Sequence, residues 1–116
     1  VSGTHNHDAL TYGMVWNGST NAGGSFVINL RGNASTTFDS LIGIGKVTTM
    51  IIYSANNNTS NYMTSFQIDG STQTIKYANA TTPSAATGSG VDVYSLTIFK
   101  TAASTYSVFG NFTNFA

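Results

Sequence analysis

The chain has 116 residues, enough for one domain with an ordinary hydrophobic core. Hydrophobic residues make up 41% and charged residues only 7%, and the formal net charge is zero. This balance predicts a packed fold and not a disordered chain. The four basic residues are scattered singly, which excludes an extended phosphate-binding surface, so nucleic acid is not an expected partner. No apolar run reaches the ~20 residues that a helix needs to cross a bilayer, so membrane insertion is not expected.

The first eight residues are polar and show no hydrophobic periodicity. We interpret residues 1–8 as a lead-in segment and residues 9–116 as a single domain. The chain begins at Val1 and not at Met, which favours a fragment or a processed product.

Strand-like runs separated by Gly, Asn and Ser clusters follow the lead-in. They cover residues 10–16, 25–30, 36–41, 46–53, 62–68, 74–77, 92–100 and 105–112. Several of them alternate with the two-residue period of a half-buried strand, as Phe26, Ile28 and Leu30 do. Dipeptides such as Asp69-Gly70 tolerate positive φ and suit hairpin turns. The sequence therefore predicts an all-β fold: an antiparallel β-sandwich, jelly-roll-like, with about eight short strands.

The polar residues do not form a recognisable catalytic set. No Gly-x-Ser-x-Gly motif follows a strand, and both histidines, His5 and His7, lie in the predicted lead-in, where a base would not be held beside a nucleophile. The four aspartates are most simply turn and strand-end residues facing water. We expect no enzymatic activity. Because so few charges repel one another, we expect a module that assembles or adheres.

The pair His5-x-His7 is a candidate metal site. In an extended segment residues two apart point the same way, so both imidazoles would face one side, with Asp8 on the other. One chain would offer two nitrogens, whereas three chains around a threefold axis would offer six, enough for an octahedral transition metal. The alternative is a pair of solvent-exposed histidines in a mobile tail.

The aromatic residues make up 12% of the chain and allow two interpretations. Most of them, including Trp16, Phe26, Tyr94 and Phe99, fall in strand-like runs and are expected in the core or in cross-strand pairs. Exposed ones would instead stack on sugar rings. The sequence does not identify which aromatic residues are exposed.

The ordered set of motifs resembles a small β-domain of bacteriophage tail fibres, tail spikes and other virion appendages. The similarity covers roughly residues 24–116 and includes a strand that ends in the turn Leu30-Arg31-Gly32-Asn33. The other matching segments are residues 45–52, 74–77 with Pro83, 90–97, 109–112 and 114–116. Tyr77 and Tyr106 depart from the family, which usually has Trp there, and the departure puts a Trp-dependent binding surface in doubt.

The resemblance implies a virion structural protein, outside the cell and homotrimeric, that contacts other virion proteins and binds a host glycan or protein receptor. Residues 3–7 are also similar to the His-x-His element of trimeric phage fibres, which implies iron or another transition metal held by His5 and His7 on the trimer axis. Two alternatives stay open. One is a capsid decoration or head-fibre protein, and the other is a carbohydrate-binding adhesin module outside any virus.

Overall fold

A computed structural model describes residues 3–18, 24–55 and 58–115 of the chain. Within these residues the fold is mostly β, with nine strands, one four-residue helix and one 3₁₀ turn at Ala78–Ala80. The helix α1 spans Ala9–Tyr12. The strands are β1 (Gly3–Asp8), β2 (Val15–Gly18), β3 (Phe26–Arg31), β4 (Val47–Ala55), β5 (Met63–Ile68), β6 (Ser71–Gln73), β7 (Ile75–Tyr77), β8 (Val91–Ala102) and β9 (Thr105–Phe115). No helix in the described part of the chain is long and apolar enough to span a membrane.

The strands form two sheets that enclose one hydrophobic core. The four-stranded sheet has the order β1-β3-β5-β6, and the five-stranded sheet has the order β2-β4-β8-β9-β7. Phe26, Ile28 and Leu30 are fully buried on one face of β3, as their alternation predicts. A sandwich-like, mostly β fold is therefore confirmed.

The predicted antiparallel, jelly-roll-like strand arrangement is wrong. Of the seven strand pairings in the described residues, four are parallel and three are antiparallel. The reason is that the first five strands alternate between the two sheets. After each excursion to the other sheet the chain returns to the end where it began, so neighbours within one sheet run in the same direction. Turn residues mark where strands end, but they do not reveal this alternation.

The Asp69-Gly70 turn between β5 and β6 is confirmed as a hairpin. Both residues have positive φ, 50° and 83°, as a two-residue hairpin turn of the primed type requires. The Asp69 carboxylate also accepts hydrogen bonds from the backbone N–H groups of Phe38 and Asp39, at 2.7 and 3.0 Å. These bonds bend residues 36–41 into turns, so the strand predicted there is absent.

The N-terminal segment is part of the sheet, which the sequence did not predict. Gly3–Asp8 pairs in parallel with β3 along all six of its residues. On the outer side Asn29 donates a hydrogen bond to Asn6, and Arg31 forms an ion pair with Asp8 at 2.6 Å. Residues 3–8 are therefore a strand and not a lead-in, while Val1, Ser2 and Ala116 lie outside the described residues.

Two aromatic contacts join the sheets through the core. The Phe26 ring stacks on Trp16, with centroids 5.1 Å apart, and meets Tyr94 edge-on at 6.5 Å. The Tyr94 hydroxyl accepts a hydrogen bond from the Met63 backbone N–H at 2.9 Å. Because Phe26 and Met63 belong to one sheet while Trp16 and Tyr94 belong to the other, these contacts fix how the sheets lie on each other.

A buried lysine anchors the long loop between β3 and β4. The Lys100 ammonium donates to the carbonyl oxygens of Asp39 and Ile42, at 2.8 and 3.0 Å, and lies 3.0 Å from the Asp39 carboxylate. The Tyr106 hydroxyl donates to the same carboxylate at 2.6 Å. The hydrogen bonds from Tyr106 and then Lys100 hold the pKa of Asp39 below its ordinary value of 3.8.

This anchor predicts an acid-dependent loss of stability. Because the unfolded chain takes up a proton at Asp39 near pH 3.8 and the folded chain only at lower pH, the carboxylate stabilises the fold at pH above 3.8. That contribution is lost as the pH falls from 3.8 through the folded-state pKa. Asp39→Asn should therefore lower the urea midpoint at neutral pH and flatten its dependence on pH below 3.8. Equal slopes for wild type and variant would contradict this account.

Candidate functional site

The two candidate metal ligands lie on the inner side of β1. Each is opposite a buried β3 residue, with His5 in register with Ile28 and His7 in register with Leu30. The His5 ring lies 5.7 Å from Trp16, and its Nε2 is the one buried side-chain polar atom without a hydrogen-bond partner in the described residues. His7 is only 3% exposed.

A hydrogen bond fixes the His7 ring. Its Nε2 lies 2.7 Å from the carbonyl oxygen of Gly13, and because a carbonyl only accepts, Nε2 donates. Gly13 follows α1 with a φ of 68°, a conformation that glycine adopts without strain and that turns the chain back over β1. His7 is thus held in an ordered strand, so the mobility assumed from the sequence does not describe it.

This conformation does not fit a metal on an axis between chains. Both rings point inward, and the Nε2 atom of His7 carries the proton that bonds to Gly13. Among the described residues no three His, Cys, Asp or Glu side chains meet as a metal-binding group. Ligation on an axis between three chains would require the inward-pointing rings of His5 and His7 to turn outward, and the metal site stays a prediction.

The outer face of the five-stranded sheet exposes several large apolar side chains. Residues paired in register point to the same side of a sheet, so Val47 and Phe99 share this face, as do Tyr53 and Val93. We call it the apolar face. Its large apolar side chains that are between 36% and 60% exposed are Val15, Val47, Tyr53, Phe99, Phe109 and Phe115. Phe99, one of the residues expected in the core or in a cross-strand pair, is thus exposed here.

The apolar face carries almost no charge. The five strands of this sheet contain three charged side chains within the described residues, and two of them, Asp92 and Lys100, are buried on the inner side. The third, Lys76, lies on the edge strand β7, with its ammonium 5.9 Å from the Phe109 ring. The remainder of the face is formed by hydroxyl, amide and apolar side chains.

The outer face of the four-stranded sheet is polar by comparison. Asn6, Asn29, Gln67 and Thr72 are paired in one row across its four strands. The Arg31–Asp8 ion pair lies in a neighbouring row. A sheet face that remains in water is expected to look like this one, with polar side chains on the solvent side. The apolar face does not have this polar composition.

The apolar face has the size of a specific protein interface. β4 pairs with β8 over nine residues, and five strands lie side by side. The five strands have 4, 9, 12, 11 and 3 residues, so with a rise of about 3.3 Å per residue and a spacing of about 4.8 Å between strands the face covers roughly 600 Å². Stable complexes bury about 600–1,000 Å² on each partner, and the face reaches the lower end of this range. The face is therefore large enough to hold two chains together.

A signal for this face was present in the sequence. In β8, Val91 and Val93 point outward, while Tyr94, Leu96 and Ile98 point inward and are buried. A strand that is apolar on both sides is typical of a sheet covered on both faces.

Comparison of the chain with known proteins adds no family and no relative. No family model, curated protein or solved structure matches it.

Proposed function

We propose that this protein is a structural module of a bacteriophage virion, a tail fibre or related appendage in which copies of the chain associate through the apolar face. The observation that carries the proposal is the contrast between the two outer faces. One is polar and ion-paired, whereas the other exposes large apolar side chains and one edge lysine. Burial of apolar area is the main favourable term in association, and an uncharged face does not repel its own copy.

The number of copies and the virion come from the resemblance. Phage appendages with domains of this kind are typically homotrimers, located in the extracellular particle, and the same resemblance suggests contact with other virion proteins and with a host receptor. The neutral chain supports assembly in this setting, since its formal net charge is zero. The proposal includes no catalytic role, and no step in it depends on a metal at His5 and His7.

A capsid decoration protein would use the apolar face in the same way, so this face does not distinguish a tail protein from a head protein.

A carbohydrate-binding adhesin outside any virus is the second candidate. It does not require self-association and would leave the apolar face for another protein. Oligomeric state and location in a virion distinguish these candidates.

The proposal is tested by the mass of the native protein. Sedimentation equilibrium should give three times the mass of one chain, which is the copy number that the resemblance to phage appendages suggests. Antibody labelling of the phage particle should then decorate the tail and not the head. A single-chain mass at micromolar concentration would overturn the proposed assembly, and labelling of the head would assign the protein to the capsid.

A further inference from the structure

A cleft opens between the edge strands of the two sheets. β1 is at the edge of the four-stranded sheet, and β2 is at the edge of the five-stranded sheet. The cleft between them has a volume of about 490 Å³, within the range of about 300–1,000 Å³ that is typical of small-molecule sites. It is lined by Asn6, His7, Tyr12, Val15, Trp16 and Asn17.

The lining combines aromatic rings with neutral hydrogen-bonding groups. Tyr12 is 69% exposed, although it lies 6.1 Å from the His7 ring and belongs to the short helix that borders the cleft. Trp16 lies deeper, and its ring stacks on the buried Phe26. Among the described residues, no Asp, Glu, Lys or Arg lines the cleft. The site thus offers stacking surfaces and polar groups, and it has no charge with which to bind an ion.

The hydrogen-bonding direction of one lining amide is fixed from outside the cleft. The Gly70 backbone N–H donates to the Asn29 side-chain oxygen at 2.8 Å, and this bond orients the Asn29 amide. Asn29 in turn donates through Nδ2 to the Asn6 oxygen at 3.0 Å. The Asn6 oxygen is therefore engaged, and its Nδ2 is the group left to donate to a ligand.

The His7 imidazole has the opposite role. Its Nε2 donates to the Gly13 carbonyl, so in the neutral ring Nδ1 carries the lone pair and accepts hydrogen bonds. The cleft therefore combines a fixed amide donor with a fixed imidazole acceptor. Asn6 and His7 are neighbours in β1 and point to opposite sides of the strand, so they would pair with different hydroxyl groups of one ligand.

We infer that this cleft binds one ring of a neutral sugar. A pyranose has an apolar C–H face that stacks on an aromatic ring such as Tyr12, and its hydroxyl groups match the Asn6 donor and the His7 acceptor. An anionic sugar would lack a basic partner, because none of the described residues that line the cleft carries a Lys or Arg charge. The inference names the ligand class for the receptor-binding part of the proposed function. It rests on the proposed function for one point, which is where the sugar comes from.

The floor of the cleft is rigid, which favours binding without rearrangement. Trp16 is held between Phe26 and the buried Gly18, where a Cβ would come within 2.7 Å of the indole ring. The His5 ring lies on the same indole at 5.7 Å. A preformed site loses little conformational entropy when a ligand binds.

The test is binding of neutral sugars to the native, assembled protein. Glucose, galactose, mannose and N-acetylglucosamine are each added at millimolar concentration and followed by saturation-transfer NMR. At least one of them should bind. Tyr12→Ala should weaken that binding at least about tenfold, since the stacking ring is lost. Tyr12→Phe keeps the ring and should retain most of the affinity, and Thr72→Ala, on the polar outer face, should not change it.

The outcomes separate this inference from the proposed function. No binding by any of the four sugars, binding unchanged in Tyr12→Ala, or preference for an anionic sugar such as sialic acid would overturn the sugar site. An unchanged trimeric mass in the same samples would leave the assembly intact. Conversely, a single chain that binds sugar through Tyr12 would support the cleft and contradict the assembly.

Discussion

Replacing Tyr53 by glutamate is expected to convert the proposed trimer into single folded chains. Tyr53 lies on β4 in the apolar face, in register with Val93 of β8, and is 38% exposed, so the side chain is not part of the core. In the assembly the new carboxylate would be buried without a partner, which costs several kcal/mol per chain. We expect association to weaken at least about a hundredfold, which corresponds to about 3 kcal/mol. Sedimentation at one chain concentration measures this change directly.

The matched control places the same charge on the other sheet. Thr72 is exposed on the polar outer face, in register with Gln67 of β5. Thr72→Glu should leave the trimeric mass unchanged, because that face is proposed to remain in water. Circular dichroism of Tyr53→Glu should still report a folded β protein. Dissociation of Thr72→Glu with an intact Tyr53→Glu trimer would show that the copies meet through the polar face instead.

The sequence predicts the strands that carry apolar alternation and misses two polar ones, β1 and β6. β3, β8 and β9 lie within one to three residues of their predicted bounds, because burial of one face imposes a two-residue hydrophobic period. β1 has no such period. Its place in the sheet depends on the Asn6–Asn29 hydrogen bond and the Asp8–Arg31 ion pair, whose partners are 23 residues apart. Local patterns do not contain that information.

The candidate sites differ in how far the sequence could identify them. The alternation of His5 and His7 places them correctly on one side of an extended segment, but only the tertiary structure shows that α1 turns back over them through Gly13. The cleft combines residues of β1, α1 and β2, and its hydrogen-bonding polarity depends on Gly70 and Asn29, which are distant in the chain. Tyr12 could not be identified as the exposed aromatic ring without that arrangement.

Replacing Phe26 by alanine is expected to remove most of the stability of the fold. The side chain is fully buried, stacks on Trp16 at 5.1 Å and meets Tyr94 at 6.5 Å, so its loss opens a cavity between the two sheets. Truncation of a buried Phe costs about 3–5 kcal/mol. Small domains have a total free energy of unfolding of about 5–15 kcal/mol. The expected fall in Tm is about 10–20 °C, measured by thermal unfolding.

Tyr12→Ala is the appropriate control for the Phe26 substitution, because it also removes an aromatic ring, but from a side chain that is 69% exposed. Its Tm should stay within a few degrees of wild type, since exposed substitutions usually change stability by about 0.5 kcal/mol or less. Comparable losses in the two variants would mean that Phe26 does not join the sheets as the structure indicates.

Because Phe26 also supports Trp16, a Phe26→Leu variant that remains folded should bind sugar more weakly than wild type. Its core would be nearly filled, but the floor of the cleft would lack the stacked ring.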